Sequence, residues 1–218
     1  MTEVKKKVKH PEIIIGEEKF LRIPIKTHVI LKDDILLNVV DKYAKPLLEE
    51  NDILFITEKI VAITQGRAIK LTDINPSFLA RILAYFVTKT PAGIGLGMPE
   101  TMEMALKECG TGRILYASVA SAVTKPFGKK GVFYEIAGYK ASSIDGPTPN
   151  TLPPYNQYVV LGPDKPDAVA EEVSKHLNGK KVVVVDINDL SGNVLGASHK
   201  EIDRAKVVKI LKDNPLGQ

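Results

Sequence analysis

Four consecutive valines, Val182 to Val185, restrict what this chain can fold into more than any other feature of its sequence. In a strand with one wet face every second side chain points to water. An unbroken β-branched run instead fits a strand covered on both faces, as sheets with helices on either side require. The flanks provide the helices. Before the run, residues 168–177 place Val169, Val173, His176 and Leu177 on one face and stop at Asn178-Gly179. After it, Ile202, Ala205, Val208 and Leu211 recur at helical spacing until Asn214-Pro215. The expected class is mixed α/β, with the valine strand central. At 218 residues, 44% of them hydrophobic and 26% charged, the chain has ordinary globular composition, and residues 12–218 are read as a single domain.

Upstream, Ile13-Ile14-Ile15 and the stretch from Leu21 to Ile25 are extended candidates, with Pro24 confining the second to an edge. Asp33 or Asp34 is placed to cap a helix running to about Glu49, which Pro46 ends or bends. Residues 53–64 read as strand, interrupted at Thr57-Glu58-Lys59 and closed by the turn Gln65-Gly66-Arg67. Asn75-Pro76 reads as the cap and first position of a helix carrying Phe78, Leu79, Ile82, Leu83 and Phe86 on one side. Another helix is expected from Pro99 to Cys109, ended by Gly110. Residues 114–124 are apolar and small, and 131–137 and 158–161 read as strands. Residues 146–155, with four prolines, form a stiff loop.

Charge and cysteine content narrow the function class. Thirty basic against 26 acidic residues give +4, but Lys5, Lys6, Lys7 and Lys9 crowd the start. Residues 1–11 are therefore read as a flexible, solvated basic tail and the body as nearly neutral, so nucleic-acid binding is not implied. No stretch reaches the roughly 18 apolar residues of a membrane helix, and the start lacks the apolar core of a secretory signal. The single cysteine, Cys109, has no partner for an internal disulfide, and a cytoplasmic location is expected. The four histidines show no metal-ligand spacing. Gly93, Gly95 and Gly97 spell neither a dinucleotide fingerprint nor a phosphate loop. No serine sits in a nucleophile elbow.

Two acidic segments remain as candidates for chemistry. Asp186-Ile187-Asn188-Asp189-Leu190-Ser191-Gly192 directly follows the valine strand. That is the end at which open α/β sheets place ligands, and hard cations take carboxylate oxygens. The same residues also make an ordinary polar turn, with Asp189 closing on Ser191. Ser142-Ser143-Ile144-Asp145-Gly146-Pro147 sets a second carboxylate at the mouth of the proline-rich loop, where turn chemistry alone is again sufficient.

Longer motifs point to a family. Asn51-Asp52-Ile53-Leu54-Phe55-Ile56-Thr57-Glu58-Lys59-Ile60-Val61-Ala62-Ile63-Thr64-Gln65-Gly66-Arg67, continued by Leu71-Thr72-Asp73-Ile74-Asn75-Pro76-Ser77, resembles the strand motif and Pro-Ser helix start of the γ-glutamyl ligases that add glutamate to coenzyme F420-0. Ile23-Pro24 and Asp33-Asp34-Ile35 resemble that family's nucleotide-contacting entry. Asp189-Leu190-Ser191-Gly192-Asn193 is similar to its Asp-Thr-x-Gly-Arg, with leucine for threonine and asparagine for arginine. Leu216-Gly217-Gln218 resembles the Gly-Gln that opens its last nucleotide-binding segment, the rest of which the chain is expected to lack. The family's other metal aspartate stands in Ala-Gly-Ile-Asp-x-Ser-Asn. An ungapped alignment on Ala137-Gly138-Tyr139-Lys140-Ala141-Ser142 brings Lys140 to that place, whereas a short insertion brings Asp145; the reading adopted is Asp145.

The resemblance implies a γ-glutamyl-ligase-like fold with a mixed sheet and flanking helices, and an intertwined homodimer with residues 114–124 as candidate contacts. It implies GTP and Mg2+ or Mn2+ as cofactors, with K+ as a further cation, and a nucleotide, a small-molecule acid and L-glutamate as partners. In that mechanism GTP phosphorylates a substrate carboxylate and the amine of L-glutamate displaces phosphate. The implied metal ligands are Asp145, Asp189 and Gln218, with Asp186 beside them, and Asp145 and Asp189 are expected to share one cation. Ile23, Pro24, Lys26, Lys59, Arg67 and Lys140 are the implied nucleotide contacts. The departures at Leu190 and Asn193, with the Lys140 register, leave two alternatives. One is a homologue that binds nucleotide and metal without catalysis, and the other an amide ligase of this fold acting on a different acid.

Overall fold

The computed structural model describes residues 11–87, 95–129, 131–148, 151–187 and 192–212. In chain order they form β1 (Glu12–Ile15), β2 (Glu18–Leu21), α1 (Leu36–Val39), β3 (Ile53–Thr57), α2 (Glu58–Thr64), β4 (Ala68–Lys70), α3 (Phe78–Phe86) and α4 (Pro99–Cys109). Then come α5 (Thr111–Thr124), α6 (Val132–Ala137), α7 (Tyr139–Ser142), β5 (Tyr158–Val160), α8 (Pro166–His176), β6 (Lys181–Ile187), β7 (Gly192–Ala197) and α9 (Arg204–Ile210). The fold is mixed α/β. Two compact units share the chain, one drawn from Met1–Thr64 and Asp164–Gln218, the other from Gln65–Pro163. The basic tail, apart from Pro11, lies outside the described residues.

The first unit is built on the valine strand. β6 lies between β3, which runs parallel to it, and the antiparallel β7. Val182 to Val185 are each 0% exposed. Their side chains alternate between two cores, as the pleat of a strand demands. Val182 and Val184 pack with Leu54, Ile56, Val61 and Val173, and Val183 and Val185 with Val194, Ile202 and Val207. Each such burial contributes about 1.5–3 kcal/mol, so one strand anchors both cores. β7 carries a bulge, since Val184 faces Gly196 and Val185 faces Val194, leaving Leu195 unopposed. Gly196 runs against the start of α8, and a Cβ there would overlap the backbone of Pro166 and Asp167. α8 ends where the sequence indicates, with Asn178 and Gly179 at φ 56° and 85°. α9 is capped by Asp203, whose carboxylate accepts from the N–H groups of Ala205 and Lys206.

Two expectations for this unit need correction. The helix expected from Asp33 or Asp34 to about Glu49 has mixed pitch: α1 passes into a π turn at Val40–Ala44 and a 3-10 turn at Lys45–Leu47. No side chain caps it, because Asp34 Oδ2 instead accepts from Leu31 N–H and lies 3.1 Å from His28 Nε2. Residues 53–64 are not one strand but β3 followed directly by α2. An apolar β-branched run does not by itself distinguish a strand from a short buried helix, and here Val61, Ala62 and Ile63 are buried as a helical turn.

In the second unit the core joins Ala80, Ala84, Met102, Ala105, Ile114 and Ala117 of α3, α4 and α5 to Ile144 and Val159. α4 spans the expected residues and ends at Gly110, φ 86°. The cap of α3 is Ser77 rather than Asn75: its Oγ accepts from Ala80 N–H, while its own N–H and hydroxyl donate to Glu103 Oε2 at 2.9 and 2.7 Å. The stretch 131–137, expected as a strand, contains the helix α6. Glycines with positive φ, Gly131 and Gly138, bound it. Phe133, Ile136 and Ala137 turn inward at helical rather than alternating spacing. β4 and β5 pair antiparallel, with Ala68 opposite Val160. On the other side of Val160, Asp145 exchanges both backbone hydrogen bonds with it, at 2.8 and 2.9 Å.

Candidate functional site

In the first unit two parallel strands present their carboxyl ends together. Thr57 of β3 is in register with Val185 of β6, so Glu58 and Asp186 follow at adjacent strand ends, and Asn193 of β7 stands opposite Asp186. Glu58 is 7% exposed, Asp186 is half-buried, and Lys59 is exposed beside Glu58 on the first turn of α2. Two acids and a lysine at the open end of parallel strands are suited to holding phosphate with a hard cation. Asp186 sits at the strand end, as expected. Asp189 and Gln218 lie outside the described residues. Among the described residues no three His, Cys, Asp or Glu side chains gather as a metal cluster. The donors at this edge are nonetheless carboxylate oxygens, the class that Mg2+ and Mn2+ take, so they fit such an ion in kind.

Glu58 was overlooked in the sequence, although a signal was present, namely a charged residue interrupting an apolar run where the strand ends. Ile23, Pro24 and Lys26 are all exposed, on a segment without regular secondary structure. A chain of polar groups fixes the segment that follows: His28 Nδ1 lies 2.8 Å from Tyr43 Oη, and Nε2 faces Asp34. The Leu31 N–H, followed by the His28 hydrogen bond, holds the Asp34 carboxyl below its ordinary value.

In the second unit Arg67 is half-buried and engaged. Its Nε donates to Gly162 O and its Nη2 to Glu108 Oε2, both at 2.6 Å, while Leu161 N–H donates to Arg67 O at 3.0 Å. The guanidinium thus ties the β4–β5 pair to the end of α4. Gly162 also packs closely against the end of α7, where a Cβ would stand 2.7 Å from Ser143 Cβ. Asp145 has its backbone locked to Val160 and its side chain half-buried. Burial raises the pKa of the nearby Tyr134 phenol, and the charge of Asp145 adds to the effect.

Lys140 is exposed on α7 and lines a cleft of about 430 Å³ with Glu108, Cys109, Arg113, Gly138 and Tyr139. Burial, then the Glu108 charge, raises the Cys109 thiol pKa against the opposing pull of Arg113 and Lys140. Such a shift lowers the thiolate fraction at a given pH. The two registers therefore select different surroundings, Lys140 in this cleft and Asp145 on the β5 ladder.

No helix among the described residues is long and apolar enough to cross a membrane. A curated relative, the coenzyme F420:L-glutamate ligase of Methanopyrus kandleri, is 26% identical over 179 residues, covering 82% of this chain. The chain spans 60% of the length of that relative. The family model for F420-0:Gamma-glutamyl ligase matches residues 24–201, a span that holds β3, α2, Asp145 and Asp186. On that match the chain belongs to the F420-0:gamma-glutamyl ligase family.

Proposed function

We propose that this protein is a GTP- and divalent-metal-dependent γ-glutamyl ligase that forms an amide between an F420-0-like acid and L-glutamate. The supporting observation is the pair of adjoining strand ends that sets Glu58, Lys59 and Asp186 together within the family's matched span. A carboxylate is a poor acyl donor until one of its oxygens can leave as phosphate, and the transferring phosphoryl group carries charge that must be offset. Lys59 supplies one positive charge at that place. Bound Mg2+ or Mn2+ would supply the rest, with Asp186, Asp189 and Gln218 as oxygen ligands. Ile23, Pro24 and Lys26 border the nucleotide in this reading, with K+ as an accessory cation. Arg67 reaches a phosphate only by exchanging Glu108 for it. The enzyme is proposed to act as a cytoplasmic homodimer.

A non-catalytic nucleotide- and metal-binding homologue is the second reading, favoured by Leu190 and Asn193 where the family has threonine and arginine. The same fold acting on another acid is the third. Two measurements separate them. Mn2+ with GDP at about 100 times its dissociation constant adds about 2.7 kcal/mol, a rise of several degrees in Tm, and Asp186→Asn is expected to remove most of it. GTP turnover with L-glutamate and candidate acids then distinguishes ligase from binder. A parent protein whose Tm ignores Mn2+ and GDP would overturn all three.

A further inference from the structure

We propose that Tyr43 is a nucleophile for activated acyl groups, with His28 as its general base and Asp34 holding that base in place. Tyr43 lies on the π turn Val40–Ala44, a helix distortion of a kind that recurs at functional sites. The fold brings to it a histidine from the irregular segment after β2 and an aspartate from the stretch just before α1. Tyr43 Oη is 2.8 Å from His28 Nδ1, and His28 Nε2 is 3.1 Å from Asp34 Oδ2. Hydroxyl, imidazole and carboxylate in that order are the nucleophile, base and orienting group of acyl-transfer chemistry. His28 and Asp34 are partly exposed, so a small acyl donor reaches the group from solvent.

The proton positions follow from Asp34. Its Oδ2 also accepts from Leu31 N–H at 2.7 Å, which favours the ionised form, and a carboxylate can only accept. Nε2 of the neutral imidazole therefore carries the hydrogen, and Nδ1 presents its lone pair to the Tyr43 hydroxyl. The His28 N–H donates to Tyr43 Oη at 3.3 Å, and Lys42 Nζ lies 5.0 Å from the ring centroid. Both offset the negative charge that builds on the oxygen as its proton leaves. In the reaction Tyr43 Oη bonds to the acyl carbon while its proton passes to His28 Nδ1. The bond from that carbon to the leaving group then breaks, and the leaving group keeps the electron pair and takes the proton from Nδ1. A phosphoryl group would instead add about two negative charges beside the ionised Asp34, whereas an acyl group adds none. Neither the site nor its chemistry rests on the ligase reading.

The probe is p-nitrophenyl acetate, with the initial rate of acetylation at each tyrosine of the full chain read by peptide mass spectrometry. Tyr85 and Tyr116, 85% and 67% exposed, are references within the same molecule. Half-buried Tyr43 is expected to react about a hundredfold faster than either. His28→Gln is expected to cancel that advantage and Asp34→Asn to reduce it at least about tenfold, with Tyr85 and Tyr116 unchanged. A hydrogen-bonded chain that only fixed the segment would give the opposite result, because breaking it releases the phenol and speeds its acetylation. The comparison of tyrosines in the parent needs no variant, so it tests the proposal even where a substitution disturbs the fold. Tyr43 reacting no faster than Tyr85 in the parent, or at least as fast in His28→Gln as in the parent, would overturn the proposal.

Discussion

Between α3 and α4 one carboxylate gathers three donors. Glu103, 9% exposed, accepts from the Ser77 N–H and hydroxyl, and its other oxygen lies 3.6 Å from Lys107 Nζ. The Ser77 bonds, the N–H first, hold its carboxyl below the ordinary value of 4.5. A carboxyl with a lower pKa in the folded state than in the unfolded one stabilises the fold above the unfolded value. That contribution disappears as pH falls through the folded value. Tm is therefore expected to drop on acidification below about pH 4.5, and Glu103→Gln to lower Tm at neutral pH while making the acid limb shallower. Identical acid limbs in variant and parent would contradict this. The same site shows why caps were hard to read from sequence. Asn75 and Ser77 are both able to cap α3, as Asp33 and Asp34 are to cap α1. The choice was made by Glu103 for the first and by Leu31 and His28 for the second, partners that no local rule reveals.

Elements announced by two coincident signals were legible. α4 had Pro99 and Gly110 at its ends, α8 had an apolar face and Asn178-Gly179, and β6 had an unbroken β-branched run between helices. α2 and α6 are mostly apolar, β-branched or aromatic residues, whose preference for strands gave way to packing. The candidate site divides along the same line. Asp186 was found because its strand was, while Glu58 was passed over because the strand before it was drawn too long. Arg113 and Lys140 share a cleft only through packing between helices, which no spacing encodes. At Gly196, β7 meets α8 with no room for a Cβ, and the obstacle is backbone rather than a side chain able to swing away. Gly196→Ala is expected to cost about 1–3 kcal/mol, read as a lower urea midpoint with unchanged slope. A neutral substitution would show that the strand and helix have slack.

For the molecule as a whole, the second unit leaves much apolar surface uncovered. Phe78, Tyr85 and Phe86 on α3, and Tyr116, Val119 and Val123 on α5, are exposed. The α5 residues share one face, opposite the buried Ile114 and Ala117. Apolar patches of this kind mark association surfaces, and a second copy of the chain is the proposed occupant. Light scattering is expected to give a dimer mass, and Val119→Asp to shift it toward monomer; a parent mass that stays monomeric at all concentrations would remove the dimer. The division of the chain also bears on how it is made. The second unit is one continuous stretch, Gln65–Pro163, whereas β3, made before it, pairs with β6, made after it. A chain emerging from the ribosome N-terminus first completes the inserted stretch while β3 has no parallel neighbour. Its apolar edge stays unmatched until Lys181 and the valines are synthesised, and an unpaired strand edge of that kind is open to wrong pairing for as long as it waits.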